Sequence, residues 1–599
     1  MNDSNSLNPR EVYEDRIFAR QTEAEAYQRQ HVLLGYFRLV LVIAGIIVAW
    51  YSFYQHLISR WWLLAIFGIF VVAARRHSAV LQQKAEAQRA ITSFERGIAR
   101  IDDRWAELPA RVAQVNAAGS LFAEDLDLFC RAGLFELLNT ARTSAGDDTL
   151  TSWLLEPAER DEIIARQKAI GELRGIDELR EQIASCGEAD FEHLDTAALA
   201  QWASNAEPKI PVSWRWISPL LVALTLAAAL RYLATNHGWP LLAIVLIDAT
   251  VTFALLKRVQ TLFIGAERAS KSLRLASVLI ERWEQQELSS PLLHELQQML
   301  DVKNETASHG LAKLALLSRM MEQRGNFIVR VFDAPLLYSV QLAGAAQAWK
   351  RRYGASLQGW LQSLGQLEAL QSLATYSFEH PNDPFPELIA GPSHLEVKAL
   401  GHPLIPDARC VRNDVSLKGN APLLLVSGSN MSGKSTLLRA VGINVVLAMA
   451  GATVRATSLH MTPLRVGASI QVSDSLQEGR SRFYSEILRL RAICALAEER
   501  PPVLFLLDEL LDGTNSGDRL TGATGIAHAL IASGAIGLIS THDLALTAIG
   551  DGTGTHTLRN VHFEERIENG EMRFDFRLRD GVVTTSNGVE LMRMVGLKV

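Results

Sequence analysis

Cysteine is scarce in this chain: the four present, Cys130, Cys186, Cys410 and Cys494, lie far apart with no CxxC spacing. That distribution excludes a disulfide framework and a cysteine-built zinc site, and fits thiols kept reduced in a reducing compartment. A basic excess is missing too. The formal net charge is −6, so the chain as a whole lacks the electrostatic pull toward nucleic acid that a basic domain or stripe provides. The polar N-terminal stretch lacks the short apolar core and small-residue cleavage site of a secretory signal. No tandem repeat or low-complexity tract is visible.

Charge then disappears locally. From Leu39 to Ser59 there is no Asp, Glu, Lys or Arg, and a second apolar run, Trp61 to Ala74, is closed by Arg75-Arg76. A spanning helix needs about 20 apolar residues, somewhat fewer if flanking side chains snorkel. These runs predict a transmembrane hairpin, 37–54 out and 57–74 back, turning at Gln55-His56. A second pair of runs, Trp214 to Leu233 and Trp239 to Leu256, ends at Lys257-Arg258, with Trp214, Trp216, Tyr232 and Trp239 at its edges as interfacial anchors. Its alternative is a buried core hairpin, because the uncharged stretch of its first helix is short. Arg75, Arg76, Lys257 and Arg258 share the side of the termini, so the positive-inside rule predicts an inner-membrane, multi-pass protein with both termini cytoplasmic. Asp248 falls mid-span and is a functional candidate by default. The simpler reading is a protonated or locally paired Asp, since no carboxylate or Lys lies at similar depth.

The organisation that follows is an N-terminal cytoplasmic segment (1–36), a hairpin (37–76) and a helical connector (77–119). A helical core and lever region (120–380), interrupted by the second hairpin at 214–256, and a nucleotide-binding domain (381–599) complete it. Residues 77–118 and 259–375 alternate apolar and polar side chains at helical spacing, which suits long arms or a bundle. The run HPNDPFPELIAGPSHL (380–395) marks the boundary, and beyond it strands PLLLVS, VLFLLDE and IGLIS alternate with helices, predicting a parallel or mixed sheet covered by helices.

The chemistry lies in that last region. Gly428-Ser429-Asn430-Met431-Ser432-Gly433-Lys434-Ser435, followed by Thr436, matches GxxxxGKS/T between a predicted strand and a predicted helix. Glycines let backbone N–H groups turn inward on phosphates, and the helix N-terminus adds positive potential. Lys434 is expected on the β- and γ-phosphates of ATP and Ser435 on Mg²⁺. The apolar strand ending in Asp508-Glu509 supplies the partner carboxylates: Asp508 for the metal through water, Glu509 to orient the attacking water. His542, after the next strand, is placed to touch the γ-phosphate, a role resting on its neighbours, since a lone His is more often structural.

With these motifs in order the chain resembles the MutS family of ABC-type ATPases, whose loop GPNMGGKST stands here as GSNMSGKST (428–436). The family segment DDLxxGxSTFxxE resembles Asp474 to Glu486, with Arg482 where Thr is usual. By that resemblance Ser481 contacts nucleotide bound to the other subunit, implying a homodimer with two composite sites that hydrolyse ATP to ADP and phosphate. The loop DELLDGTNSGDR (508–519) departs from DEIGRGTST at Leu511 and Asp512, as a divergent branch would. LFELLNTARTSAGDDTLTSWLLEP (134–157), Arg166 to Ile170, His402-Pro403 and Asn413 extend the resemblance upstream. The fold implied is an α/β P-loop NTPase domain of ABC/MutS type behind an all-α core and lever. No Phe-x-Glu mismatch wedge is visible, and little sequence follows the last ATPase segment, so mismatch recognition, a helix-turn-helix and a nuclease domain are not expected.

What the ATPase drives is open between three readings. In one, the arms clamp DNA or another elongated partner, with Lys350-Arg351-Arg352-Tyr353 on phosphates, although such a cluster is more often a solvated helix face. In another, an ATP-switched membrane scaffold remodels a protein partner without DNA. A transporter is the third, and it lacks a transporter signature.

Overall fold

The computed structural model describes residues 8–55, 57, 59, 61–109, 117, 119–187, 196–204, 211, 213–263, 270–302, 305–429, 431–471, 482–543, 545–547, 558–568 and 571–583. The chain divides into two compact units, 1–108 with 176–191, and 109–175 with 192–599.

In the first unit two long helices, Pro9–Phe53 and Trp61–Ile101, run antiparallel. Asn8 caps the first by accepting from Arg10 N, Pro9 sits at its N1 position, and no second proline interrupts its 45 residues. The helix therefore runs unbroken through residues 36 and 37, where the sequence suggested a change of segment. The polar half of the first helix is tied by charge to the short helix Asp177–Ser185, where Glu181 takes both Arg16 and Arg20 at 2.5 Å each. Toward the turn the surface becomes apolar. Leu39, Val40, Ile46, Trp50, Trp62, Leu64 and Phe67 are all more than half exposed except where they approach one another, as at Gly45 and Ile66. Both helices have the length and composition of a membrane span.

The second unit holds another antiparallel hairpin, Trp214–Thr235 and Trp239–Phe263, turned by Asn236 in the left-handed region (φ 58°). Residues Trp216–Thr235 are long and apolar enough to cross a bilayer, whereas Trp239–Leu255 is a shorter apolar stretch. Asp248 is fully buried between the two, and its Oδ2 accepts from Thr225 Oγ1 at 2.7 Å. A local partner on the facing helix is the simpler of the two readings of this residue.

Two arm helices, Ala307–Glu322 and the 42-residue Tyr338–Glu379, pack onto this hairpin at their meeting point. Leu255 and Val259 share a core there with Met321, Leu337, Val340, Ala343 and Ala346. At ~1.5 Å per residue the longer helix extends over roughly 60 Å. Its far end is clamped by the segment 134–155. Gly365 lies so close to Ala145 O that a Cβ would stand 2.6 Å away. Glu368, fully buried, accepts from Arg142 N at 2.7 Å and from Thr143 Oγ1. A small hairpin, β1 (Asp301–Val302) and β2 (Glu305–Thr306), precedes the shorter arm. In the cluster Lys350-Arg351-Arg352-Tyr353 both arginines are exposed, and three of the four side chains have partners elsewhere in the chain. Lys350 lies over the Trp202 ring, Arg352 pairs with Glu305 at 2.5 Å, and buried Tyr353 also bonds Glu305.

The C-terminal region has two sheets. The smaller, in the order β3 (Glu387–Leu388), β7 (Ser458–Met461), β4 (His394–Leu400), β5 (Asn413–Lys418), is mixed. The larger has β12 (Glu571–Asp580), β11 (Arg559–Glu568), β6 (Leu423–Ser427), β10 (Ile536–Thr541), β9 (Val503–Asp508) and β8 (Arg465–Ser469) in that order. All its pairings are parallel except β11 with β12. β6, β9 and β10 are buried almost throughout, as their unbroken apolar runs require. One face packs Leu423, Phe505 and Leu507 against Leu490, Ile493, Ala523 and Ala527. On the other, Gly442 of the helix Lys434–Ala450 lets Leu126 and Leu506 approach to within 2.7 Å of where a Cβ would sit.

Burial raises the Glu368 carboxyl from 4.5 to about 7, against the hydrogen bonds from Thr143 and Arg142 that favour the charged form. The folded chain then holds a proton that the unfolded chain releases, so stability is fullest below pH 4.5 and falls until the pH passes about 7. The loss is ~3 kcal/mol. Glu368→Gln should flatten this slope and leave the protein more stable than wild type above neutrality, as measured by denaturant unfolding between pH 5 and 8.

Candidate functional site: a phosphate loop facing two carboxylates

β6 delivers the chain to Gly428 at the carboxyl edge of the sheet. The loop that follows turns back through left-handed conformations at Gly428 (φ 152°), Met431 (φ 74°) and Gly433 (φ 104°) before the helix Lys434–Ala450 begins. A side chain at Gly433 would be strained by that φ and would meet the Phe576 ring at 3.1 Å. The 17-residue helix points its free N–H groups at the loop. Ser432 Oγ is buried in the same turn and has no hydrogen-bond partner among the described residues.

Lys434 is buried, 4% exposed, and its ammonium donates to Gly428 O and Ser429 O, both at 2.9 Å. Burial lowers its pKa, opposed by the nearby carboxylates of Glu509, Asp508 and Glu565. A phosphate oxygen entering the loop competes with those two carbonyls for the ammonium.

The carboxylates come from the end of β9, two strands from β6 with β10 between. The parallel register sets Ser540 beside Asp508. Ser540 Oγ donates to Asp508 Oδ1 and accepts from Glu509 N at 3.2 Å, so one hydroxyl orients both acids. Glu509 sits in the left-handed region (φ 48°), which turns its side chain back toward the loop. Its Oε1 lies 3.8 Å from Lys434 Nζ and 3.5 Å from His542 Nδ1. Lys434, Glu509 and His542, far apart in sequence, thus share one small volume.

Ser435 lies half-buried in the first turn of the helix, and Thr436 beside it is exposed. Among the described residues no group of three or more His, Cys, Asp or Glu is arranged to hold a metal. A donor set of one hydroxyl, one carboxylate and phosphate oxygens fits Mg²⁺, which keeps several waters and binds through few protein ligands. The glycine cradle and the orphaned Ser432 hydroxyl fit a phosphate. Asn430 and Ser481, with the segment 472–481, lie outside the described residues. The helix after that segment, Arg482–Ala497, is tied to the site: Glu486, buried, accepts from Leu511 N at 2.8 Å, and Phe483 closes on Gly513.

Three contributors escaped the sequence reading. Ser540 is one. Glu565 on β11 is another, a buried carboxylate that accepts from Ser429 Oγ inside the loop. The third is Phe576, whose carbonyl accepts from Asn413 Nδ2 at 3.0 Å beside a cavity of about 1080 Å³ lined by Asn413, Leu424, Val561, Arg577 and Arg579. Serine in place of proline at 429 was the one available signal, because it adds a hydroxyl that needs a partner.

A buried parallel sheet, a glycine loop opening a helix, and a carboxylate pair two strands away define an α/β domain of the P-loop type. Residues 424–598 match the family model for MutS domain V. The chain is 33% identical over 252 residues to the DNA mismatch repair protein MutS of Shouchella clausii, covering 41% of this chain and 28% of that protein. It is 32% identical over 245 residues to the DNA mismatch repair protein MutS 2 of Halobacterium salinarum (40% and 28%), and 36% over 206 to the DNA mismatch repair protein MutS of Thermus aquaticus (34% and 24%). The C-terminal region thus carries a MutS-type domain V, and the chain spans only about a quarter of the length of these relatives.

Ser540→Ala should loosen Asp508 without touching the loop. The expected outcome is a roughly tenfold higher Mg²⁺ requirement for nucleotide turnover with little change in fold, read from metal titrations.

Proposed function

We propose that this chain is a membrane-anchored, MutS-like ATPase that hydrolyses ATP to ADP and phosphate. The observation that carries the reading is the 3.8 Å approach of Lys434 Nζ to Glu509 Oε1, which brings the phosphate loop and the catalytic carboxylate to one ligand. Lys434 neutralises charge on the β- and γ-phosphates, Asp508 and Ser435 hold Mg²⁺, and Glu509 orients the attacking water. Bound Mg²⁺ supplies charge neutralisation across the phosphates. His542, hydrogen-bonding distance from Glu509 after a small rotation, fixes that carboxylate and senses the γ-phosphate. A homodimer completes each site with Ser481 of the other copy, whose helix is anchored at Leu511 through Glu486.

The apolar bands of the two hairpins support the anchoring, since exposed apolar surface of this extent is costly in water. On this reading the ATPase lies at the inner face of the plasma membrane, the side to which the positive-inside rule assigns Arg75, Arg76, Lys257 and Arg258. For the work done by ATP, the relatives' names point to DNA and mismatch repair. A second reading, an ATP-switched membrane scaffold acting on a protein partner, is favoured by one specific observation. The arms' meeting point is packed on the hairpin core at Leu255 and Val259.

Lys434→Ala should reduce ATP affinity at least tenfold and abolish turnover, as measured by nucleotide binding and phosphate release from the detergent-solubilised protein. Glu509→Gln should keep binding while lowering kcat by about a hundredfold or more and trapping a closed dimer, visible by light scattering. Wild-type turnover in the Gln variant would remove Glu509 from the chemistry. Turnover measured with and without duplex DNA across a salt series separates the two readings. Stimulation that declines steeply with salt supports DNA, and indifference supports the scaffold.

A further inference from the structure

Between the two arm helices lies a short helix, Phe327–Leu336, whose polarity is inverted relative to a helix covering a water-soluble surface. Its polar residue points inward. Asp333 is buried, pairs with Arg324 at 3.3 Å, and accepts from Ser339 N and Ser339 Oγ, both at 2.8 Å, so it caps the start of the long arm. The outward side carries Phe327 (77% exposed), Val331 (53%) and Phe332 (54%). These positions, at i, i+4 and i+5, form one contiguous apolar face, with exposed Arg330 at its margin.

The location gives that face its partner. The helix touches both legs of the hairpin Trp214–Phe263. Leu337, which directly follows the short helix, joins the core where Trp214, Leu221, Val251, Leu255 and Val259 meet the arms. That is the end of the hairpin marked by Trp214 and Arg258, the residue types of a bilayer's headgroup level. The exposed face of the short helix therefore continues the hairpin's own apolar band at the depth where an amphipathic helix lies flat in a membrane.

We propose that Phe327–Leu336 is an interfacial helix that embeds Phe327, Val331 and Phe332 in the lipid headgroup–acyl boundary, so that the tip of the arms rests on the membrane surface. The inference rests on the hairpin 214–263 spanning the bilayer. Because the same helix joins Ala307–Glu322 to Tyr338–Glu379, a shift of the long arm changes how deeply it sits, which gives nucleotide turnover a lipid-facing readout.

The test uses the full chain with its four cysteines replaced, carrying Phe332→Cys, Leu224→Cys or Glu498→Cys labelled with an environment-sensitive fluorophore. Each is reconstituted in phosphatidylethanolamine–phosphatidylglycerol vesicles bearing a nitroxide near the headgroup or near the acyl-chain end. The label at 332 should be quenched at least about twofold more by the shallow nitroxide than by the deep one. The label at 224, on the exposed face of the hairpin, should show the reverse, and the label at 498 should respond to neither. Quenching at 224 without quenching at 332 overturns the interfacial helix and leaves the spanning hairpin standing. Absence of quenching at both overturns the hairpin reading and this inference with it. Crosslinking of 332 to 332 between copies, with no quenching, assigns the face to a second copy of the chain instead.

Discussion

The candidate site depends on one geometric constraint: β6 and β9 end at the same edge of the sheet with β10 between them. Parallel pairing in register, Ser427 with Thr541 and Ser540 with Asp508, puts the phosphate loop and the two carboxylates on the same rim. Lys434, Glu509 and His542 converge because three strands are hydrogen-bonded in that order, and the hydroxyl of the middle strand ties Asp508 and Glu509 together. Burial then raises the stakes of each charge. The same desolvation that lowers the Lys434 pKa strengthens its attraction to an incoming phosphate.

From that rim the structure reaches outward by packing rather than by charge. The helix Lys434–Ala450 lies against the segment 144–155, which in turn holds the end of the long arm through Gly365 and Glu368. At its other end that arm shares a core with the hairpin at Val340 and Ala343. A single continuous helix thus links the neighbourhood of the phosphate loop with the apolar hairpin. Close-packed contacts of this kind transmit displacement, since side chains seated against backbone at glycine positions leave little room to slide. On the reading proposed here, the load at the end of the lever is the membrane hairpin and its interfacial helix.

Much of this was legible in advance, for identifiable reasons. The phosphate loop, Asp508 and Glu509 announce themselves because their chemistry demands particular residues next to each other in sequence. The apolar hairpin helices do so because long uncharged runs are visible in sequence without any knowledge of the fold. Ser540, Glu565 and Phe576 did not, since nothing in their local sequence says which loop they face. Their roles arise from strand order and from the β11–β12 hairpin folding back over Gly433. The contacts that the basic run at 350–352 makes with Trp202 and Glu305 were hidden for the same reason, since those partners are distant in sequence.

The sequence by itself determined the element types, the glycine loop at 428–435 and the apolar stretches, all of which are set by local periodicity and by short-range stereochemistry. Tertiary structure alone decided which strands are neighbours, which carboxylate meets Lys434, and that the arms end on the hairpin. It alone showed that the helix at 327–336 turns its phenylalanines outward. Those outcomes depend on contacts between segments tens of residues or more apart, where the free energy of burial is shared among many side chains and no single stretch records the result.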